Sequence, residues 1–225
     1  MKPYDAKTRQ ALHQTDVSSI LEAWAAYASN EGVPWETRLH WNSPRRRDGL
    51  IHASSVSNSC NKFLWMEAMD AEPKSRNDSG MQLIFDTGTA IHEQMQYYQG
   101  TRAKVKGYLY EDEVGFGPQN SRYGRELRLC GSADGVSSGW PIIQPVVWEY
   151  KTISSKGFGR LTSPMGYHVT QVHVYMKCLG IPCAILVYIN KDKTQFAAYK
   201  VHFDQSTWDA IEKRLKLILK MADAI

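Results

Sequence analysis

Apolar residues change their spacing along the chain, and the change comes near residue 100. Before it they recur at helical intervals, which predicts one or two helices in residues 5–30 and another within 52–69, beginning near Ser57. Residues 33–52 are polar and contain proline, so we expect them to form a connection. The first part of the chain is therefore predicted to be helical.

A further helix is predicted immediately before the change of spacing. Asp86 or Thr87 can cap its first turn, and we expect it to run to about Gln99 and to end at Gly100. Short runs rich in β-forming residues follow, separated by glycine, asparagine, aspartate or proline. These predicted strands are GYLYEDEVGF, ELRLCGSADGV, PVVWEYKTI, AILVYINKD and QFAAYKVHF.

Two helical segments complete the pattern. Residues 167–180 lie between the third and fourth strands, and the last segment is amphipathic with Ser206 as its expected cap. The order after the N-terminal helices is α-β-β-β-α-β-β-α, which predicts an α/β domain with a mixed sheet flanked by helices. We expect a single domain over 1–225, in which 1–52 form a helical N-terminal extension and 53–225 form the core.

Composition and charge narrow the functional classes. The 225 residues are 43% hydrophobic and 22% charged, as in an ordinary globular protein, and no apolar run is long enough to cross a membrane. The N-terminus lacks the apolar core of a signal peptide, so we expect a cytoplasmic protein, in the host cytoplasm if a phage encodes it. A net charge of +4 permits a polyanionic partner. Neither G-x-G-x-x-G nor a P-loop occurs, which argues against nucleotide binding by those routes.

Acidic residues and a lysine follow one another on the second and third predicted strands. Asp134 is placed at a strand end before Gly135, and Glu149 and Lys151 point to one face of the next strand because strand side chains alternate. In an antiparallel hairpin the two carboxylates converge and suit Mg²⁺ or Mn²⁺, to which the Tyr150 carbonyl adds a hard ligand. Lys151 can orient water or stabilise charge on a phosphate. The alternative is a surface hairpin with an ordinary cross-strand ion pair.

Two helical motifs lie on either side of these strands. GTAIHE places His92 and Glu93 on a helix expected to open at Gly88, and His92 can ligate a metal through a neutral imidazole nitrogen. Gln171 and Tyr175 lie four residues apart, and so on one face of a helix. Each motif taken alone is typical of a structural histidine or of a half-buried polar stripe.

The order G-x-x-x-H-E, D-G, E-x-K, Q-x-x-x-Y resembles the RecB-like branch of the PD-(D/E)XK nuclease superfamily, over roughly residues 52–203. That branch includes phage and CRISPR-associated RecB-like exonucleases and the mitochondrial genome maintenance exonuclease. The resemblance implies a mixed sheet flanked by helices and nuclease chemistry on DNA. It implies that His92, Asp134, Glu149 and the Tyr150 carbonyl bind the metal and that Lys151 is the catalytic lysine. It also implies that Gln171 and Tyr175 support the site and contact nucleic acid. Glu93 and Glu113 are candidates for additional acidic positions.

The cysteines depart from the pattern of relatives that carry an iron–sulfur cluster. Cys60 matches the first position of that pattern, but downstream of it only Cys178 and Cys183 are available near the Q-x-x-x-Y motif, at a predicted helix end and a predicted strand start. A four-cysteine cluster would have to recruit Cys130 from beside the predicted metal site, so we do not expect a cluster.

Basic residues near the motifs are expected to hold the DNA backbone: Arg122 and Arg125 before the D-G strand, and Lys156 and Arg160 after the E-x-K strand. If the N-terminal helices and PRRRDG cover the cleft that holds the predicted site, a free DNA end must be threaded into it, which favours an exonuclease. Such an enzyme would serve DNA repair, recombination or phage DNA metabolism. A recombination or replication protein is a candidate partner. The alternatives are a structure-specific endonuclease on the same fold and a non-catalytic DNA-binding module.

Overall fold

The structure is a computed structural model that describes residues 49–71, 79–139, 142–193 and 195–224. The helices predicted in 5–30, the segment PRRRDG before Gly49 and most of the proposed N-terminal extension lie outside these residues. Within the described ranges, no helix is both long and apolar enough to cross a lipid bilayer.

Six strands form one sheet in the described part of the chain. They are β1 (Ile51–His52), β2 (Leu109–Phe116), β3 (Leu129–Gly139), β4 (Ile142–Ile153), β5 (Cys183–Asn190) and β6 (Gln195–His202). The helices of the same ranges are α1 (Ala53–Val56), α2 (Asn61–Ala68), α3 (Ser79–Lys106), α4 (Arg122–Leu127), α5 (Ser155–Gly159), α6 (Gly166–Leu179) and α7 (Gln205–Ala222).

The sheet is mixed, as predicted. β3 pairs antiparallel with both β2 and β4, and parallel with the short β1. β4 pairs parallel with β5, because α5 and α6 cross over between them, and β5 pairs antiparallel with β6. The α/β class with a mixed, helix-flanked sheet is therefore confirmed.

Helices cover both faces of the sheet. On one face Met95 of α3 packs with Trp148 and Tyr150 of β4 and with apolar residues of β5. On the other face the larger core joins Val147 of β4 to Val172 of α6 and to residues of α7. Every residue of β5 is buried, which is typical of a strand covered on both sides. Alternation along β4 therefore points Glu149 and Lys151 towards the face that carries α6.

The prediction that a helix ends at Gly100 is wrong. α3 is 28 residues long, begins before Asp86 and continues through Gly100 to Lys106. A Cβ built at Gly100 would lie 3.6 Å from the Tyr110 ring, which is an ordinary contact. The helix ends instead at Gly107, which follows the last helical residue and has a left-handed φ of 79°.

The helix predicted to begin near Ser57 begins at Asn61 as α2, and a turn separates it from the short α1. The turn between α1 and α2 is held by Arg214 of α7. Its guanidinium donates to Asn61 Oδ1 at 2.8 Å, to the Val56 carbonyl at 2.9 Å and to the Asn58 carbonyl at 2.5 Å. This turn is therefore stabilised by a contact from the far end of the chain.

Three other boundaries differ from the prediction. α7 is capped by Asp204 rather than by Ser206, since the Asp204 carboxylate accepts from the Thr207 N–H at 2.9 Å. The predicted strand ELRLCGSADGV begins only at Leu129, because α4 precedes it. α5 occupies the predicted loop after β4, so the observed order contains two short helices that the sequence did not indicate.

Candidate active site

Strands β3 and β4 separate at Asp134. Their pairing includes Gly135 with Trp148 and does not extend to Asp134, although β3 continues to Leu129 and β4 to Ile153. The main-chain N–H of Tyr150 instead donates to Asp134 Oδ2 at 2.6 Å. Asp134 thus lies in the middle of a strand and not at its end, as was predicted, and its carboxylate occupies the opening between two strands.

His92 reaches this carboxylate from α3. Its Nδ1 lies 3.2 Å from Asp134 Oδ1. Burial lowers the pKa of His92, but the hydrogen bond and charge of Asp134, with the charge of Glu149, outweigh burial and raise it. The structure therefore brings His92 and Asp134 together.

The main-chain carbonyl of Asp134 is also held. It accepts from Gln96 Nε2 at 2.9 Å and from the Tyr110 hydroxyl at 3.3 Å. The Tyr110 ring crosses directly over Gly135, where a Cβ would lie 2.5 Å from Tyr110 Cε2. Gly135 is therefore needed for this close approach, whereas the sequence interpretation treated it as a signal that ends a strand.

Glu149 and Lys151 form an ion pair on one face of β4. Lys151 Nζ lies 2.6 Å from Glu149 Oε1, and the Glu149 side chain is almost fully buried. The same oxygen accepts from Gln171 Nε2 at 2.9 Å, and Gln171 Nε2 also donates to the Tyr175 hydroxyl at 2.7 Å. Residues of the predicted E-x-K and Q-x-x-x-Y motifs thus form one buried polar group.

The Glu149 carboxylate is incompletely satisfied. Among the described residues its Oε2 is buried and has no hydrogen-bond partner. Burial, followed by the charge of Asp134, raises the pKa of Glu149 to about 7, despite the lowering effect of Lys151. A buried carboxyl group with a raised pKa therefore lies near a second carboxylate, which is typical of functional sites.

Two further residues lie near Lys151: His168 of α6 and Tyr188 of β5. Lys151 pairs with Tyr188 across β4 and β5, and the Tyr188 hydroxyl lies 2.9 Å from His168 Nδ1 and accepts from the Met165 N–H. Burial and then the charge of Lys151 lower the pKa of His168 to about 3. Neither His168 nor Tyr188 belongs to a motif that the sequence analysis used.

The two residues proposed as additional acidic positions, Glu113 and Glu93, differ in their contacts with the site. Glu113 lies on β2 opposite Asp134, and its carboxylate accepts from Gln96 Nε2 at 2.7 Å and from Ser132 Oγ at 2.9 Å. Glu93 follows His92 on α3 and is half-buried. The structure therefore connects Glu113, and not Glu93, to the hydrogen bonds around Asp134.

Of the four basic residues expected to bind DNA, two lie close to the end of β4 and two belong to a different helix. Lys156 lies in α5 and Arg160 directly after it, both exposed and close in sequence to the end of β4. Arg122 Nε instead pairs with Glu126 at 2.7 Å, and Arg125 donates to the Pro118 carbonyl. Their helix, α4, packs against α7 and the C-terminal part of α6, next to Cys178. We find no contact that joins Arg122 or Arg125 to the residues around Asp134 in the described ranges.

The side chains do not form a closed metal cage as they stand. Within the described part of the chain, no three His, Cys, Asp or Glu side chains are close enough together to hold one metal ion. Glu149 Oε1 is engaged by Lys151 and Gln171. Cys178 and Cys183 lie at the end of α6 and the start of β5, where the sequence placed them.

Comparison with known proteins shows which solved structures share this fold. No protein-family model matches the sequence, and no curated protein matches it significantly. The structure of the alkaline exonuclease LHK-Exo from Laribacter hongkongensis aligns with 15% sequence identity and a TM-score of 0.56, over 79% of this chain and 90% of that one. Its complex with dAMP gives a TM-score of 0.57 with the same identity and coverage. SSO0001 aligns over 91% of this chain and 85% of its own, with 14% identity and a TM-score of 0.50.

The chain shares its fold with the two LHK-Exo structures. The mixed sheet flanked by helices that the motif resemblance implies is thereby confirmed. The motif residues lie together within this fold, although the sequence identity to these structures is low.

Proposed function

We propose that the protein is a metal-dependent deoxyribonuclease that hydrolyses phosphodiester bonds from the ends of DNA. One observation carries the proposal: the ion pair of the buried Glu149 with the partly exposed Lys151 lies beside Asp134, where β3 and β4 separate. An ordinary surface ion pair would be exposed and would not share a carboxylate with a buried glutamine. The likeness to LHK-Exo, whose structure includes a complex with dAMP, supports a DNA or nucleotide substrate.

The residues present suit Mg²⁺ or Mn²⁺. Carboxylate oxygens are hard ligands that both cations favour. Glu149 Oε2 is buried without a hydrogen-bond partner in the described residues, and a cation would supply its missing partner. Each Asp134 oxygen accepts a single described hydrogen bond and so keeps a lone pair. We propose Asp134, Glu149, His92 and the Tyr150 carbonyl as the ligands.

His92 suits this set because of its hydrogen bond. With Nδ1 directed at Asp134 Oδ1, its Nε2 remains as the nitrogen able to ligate. A bound divalent cation would supply a more acidic water and neutralise charge on a phosphate. The Asp134 carboxylate in turn fixes the orientation of the imidazole ring.

The remaining polar residues act through their own contacts. Lys151 is about one-fifth exposed, so its ammonium can reach a phosphate oxygen or an attacking water while it contacts Glu149. Gln171 holds Glu149 Oε1 and is itself close to Tyr175, which fixes the buried part of the site. Gln171 and Tyr175 are buried, so we expect nucleic-acid contact to depend on the more exposed residues.

Lys156 and Arg160 are proposed to bind the DNA backbone near the cleavage point. Both side chains are exposed and follow the strand that carries Lys151. Contacts of this kind give affinity that does not depend on sequence and that falls steeply with salt. Arg122 and Arg125 are instead engaged by Glu126 and the Pro118 carbonyl, so we propose at most a secondary contact with DNA for them.

The proposal is tested by incubating the protein with Mg²⁺ or Mn²⁺ and three substrates: end-labelled single strands, linear duplex and covalently closed circles. We expect loss of the linear substrates only, and no loss with Lys151→Ala. Lys213→Ala, which removes an exposed lysine of α7, is the matched control and should retain the wild-type rate. An unchanged rate in Lys151→Ala would refute the site assignment.

The other outcomes decide between the alternatives. Cutting of closed circles would identify an endonuclease on the same fold. Metal-independent binding of DNA without any cutting would identify a DNA-binding module. An end-dependent activity would suit DNA repair, recombination or phage DNA metabolism in the cytoplasm, with a recombination or replication protein as a candidate partner.

A further inference from the structure

We propose that Gln96 is a positioning residue of this site, which holds Glu113 and Asp134 in one fixed arrangement. The inference rests on the proposed nuclease function and adds a residue that lies outside every motif used above. Gln96 is buried, with 7% of its surface exposed, and lies four residues after His92 on α3. The two side chains therefore share one face of the helix.

Gln96 uses its amide group to join two strands. Nε2 donates to Glu113 Oε1 of β2 at 2.7 Å and to the Asp134 carbonyl of β3 at 2.9 Å. A primary amide has two N–H groups, so one proton is directed to each acceptor. Since His92 contacts the Asp134 carboxylate from the same helix, α3 fixes both the main chain and the side chain of Asp134.

The backbone of Glu113 indicates that its position is determined by these contacts. Its φ is 50°, a left-handed conformation that glutamate rarely adopts, in the middle of a strand. The neighbouring pairs Asp112–Gly135 and Val114–Ala133 are regular, whereas Glu113 lies out of the ladder opposite Asp134. Its two carboxylate oxygens each accept a hydrogen bond, one from Gln96 Nε2 and the other from Ser132 Oγ.

These contacts give Gln96 a role that differs from simple packing. A methionine of similar length would fill the same volume but donate no hydrogen bond. Glu113 would then keep only Ser132, and the Asp134 carbonyl only Tyr110, among the donors described here. Loss of a residue that orients a metal-binding group typically weakens metal affinity or activity about 10–100-fold.

The test compares Gln96→Met, Gln96→Glu and Glu113→Ala with wild type. Gln94→Met is the matched control, since Gln94 lies on the same helix and donates to Tyr98 rather than to the site. We expect Gln96→Met to lower kcat about 10–100-fold with little change in KM for DNA. Gln96→Glu should be worse, because it places a carboxylate against Glu113. Gln94→Met should match wild type.

A double variant separates positioning from general damage. If Gln96 acts through Glu113, Gln96→Met should cost less in the Glu113→Ala background than in wild type, because alanine leaves no oxygen that can accept from Gln96. Independent costs that multiply, with an unchanged melting temperature, would overturn the proposal. So would a wild-type kcat in Gln96→Met.

A second readout separates this inference from the proposed function. Binding of Mn²⁺ without DNA, measured by calorimetry, should weaken about 10-fold or more in Gln96→Met but not in Gln94→Met. If wild type binds Mn²⁺ in this pattern but cuts no DNA, the nuclease proposal fails and the role of Gln96 stands. If wild type cuts DNA and Gln96→Met equals it in rate and in Mn²⁺ affinity, only the role of Gln96 fails. A wild type that neither cuts DNA nor binds Mn²⁺ would overturn both.

Discussion

Tyr150 donates its main-chain N–H to the carboxylate of Asp134 on the neighbouring strand, over 2.6 Å. The β3–β4 pairing ends at Gly135 and Trp148, so this side chain accepts the hydrogen bond that a strand carbonyl would otherwise accept. Asp134 therefore has a structural role that does not depend on its negative charge. The two roles can be separated by substitution.

Asp134→Asn and Asp134→Ala should differ in stability but not in activity. Asparagine keeps an oxygen that can accept from Tyr150, whereas alanine leaves a buried N–H without an acceptor, at a cost of about 1–3 kcal/mol. Both lose the carboxylate, so both should lose nuclease activity. Urea unfolding together with the DNA assay checks this. Equal stability of the two variants would show that Tyr150 finds another acceptor.

Glu149 should make the stability of the metal-free protein depend on pH. Burial and the charge of Asp134 raise its pKa in the folded state to about 7, above the ordinary value of 4.5. The folded state therefore binds this proton more tightly, and stability falls as pH rises from about 4.5 to about 7.

Glu149→Gln removes that dependence. We expect its free energy of unfolding, relative to wild type, to increase with pH across this window by up to about 1.4 kcal/mol per pH unit. Urea titrations in EDTA at several pH values between 5 and 8 measure the difference. A difference that stays constant with pH would contradict the prediction.

Gly135→Ala and Gly88→Ala should have opposite outcomes. The new Cβ at Gly135 would collide with the Tyr110 ring, whereas at Gly88 it would lie 3.5 Å from Thr152 Oγ1, an ordinary contact. We expect Gly135→Ala to lose about 1–3 kcal/mol of stability and to lower activity by displacing Tyr110 from the Asp134 carbonyl. Gly88→Ala should be neutral or stabilising by up to about 1 kcal/mol, because it lies inside a helix.

The Gly135 effect can be assigned to Tyr110 by a second substitution. In a Tyr110→Leu background the ring is absent, so Gly135→Ala should cost clearly less than it does in wild type. Thermal unfolding of the four proteins gives the coupling. Additive costs would show that Gly135 is required for another reason.

Arg214→Lys should destabilise the protein although it preserves the charge. The guanidinium contacts three acceptors on the turn between α1 and α2, and a single ammonium on a flexible stem cannot reproduce that planar arrangement. We expect a loss of about 1–3 kcal/mol in urea unfolding. Lys213→Met, on the exposed face of the same helix, is the control and should change stability by less than about 0.5 kcal/mol.

The sequence predicted the elements that are determined locally. The principal strands after residue 100, the crossover helix and the final helix all follow from apolar spacing and from glycines such as Gly180, which ends α6 in a left-handed conformation. Glu149 and Lys151 could be placed on one face because strand side chains alternate. Gln171 and Tyr175 could be placed together because they are one helical turn apart.

The rest depended on contacts between distant parts of the chain. Gly100 and Gly135 suggested ends of elements, but Gly100 lies inside α3, and Gly135 is glycine because the Tyr110 ring approaches it. Gln96 lies at helical spacing from His92, which was a usable signal. Its partners, however, depend on the register of β2 against β3, and this register is not readable from the residues alone.

The arrangement of α3 limits how the site can vary. His92 and Gln96 are one turn apart on a helix whose Met95 is packed against β4, so they cannot be shifted separately. A single residue inserted between His92 and Met95 would rotate the part of the helix that carries His92 by about 100° relative to the part that carries Met95 and Gln96. Either the contact of His92 with Asp134, or the packing of Met95 together with the contacts of Gln96, would be lost. We therefore expect length variation in related sequences to fall in the turn between β5 and β6, while the spacing from His92 to Gln96 stays constant.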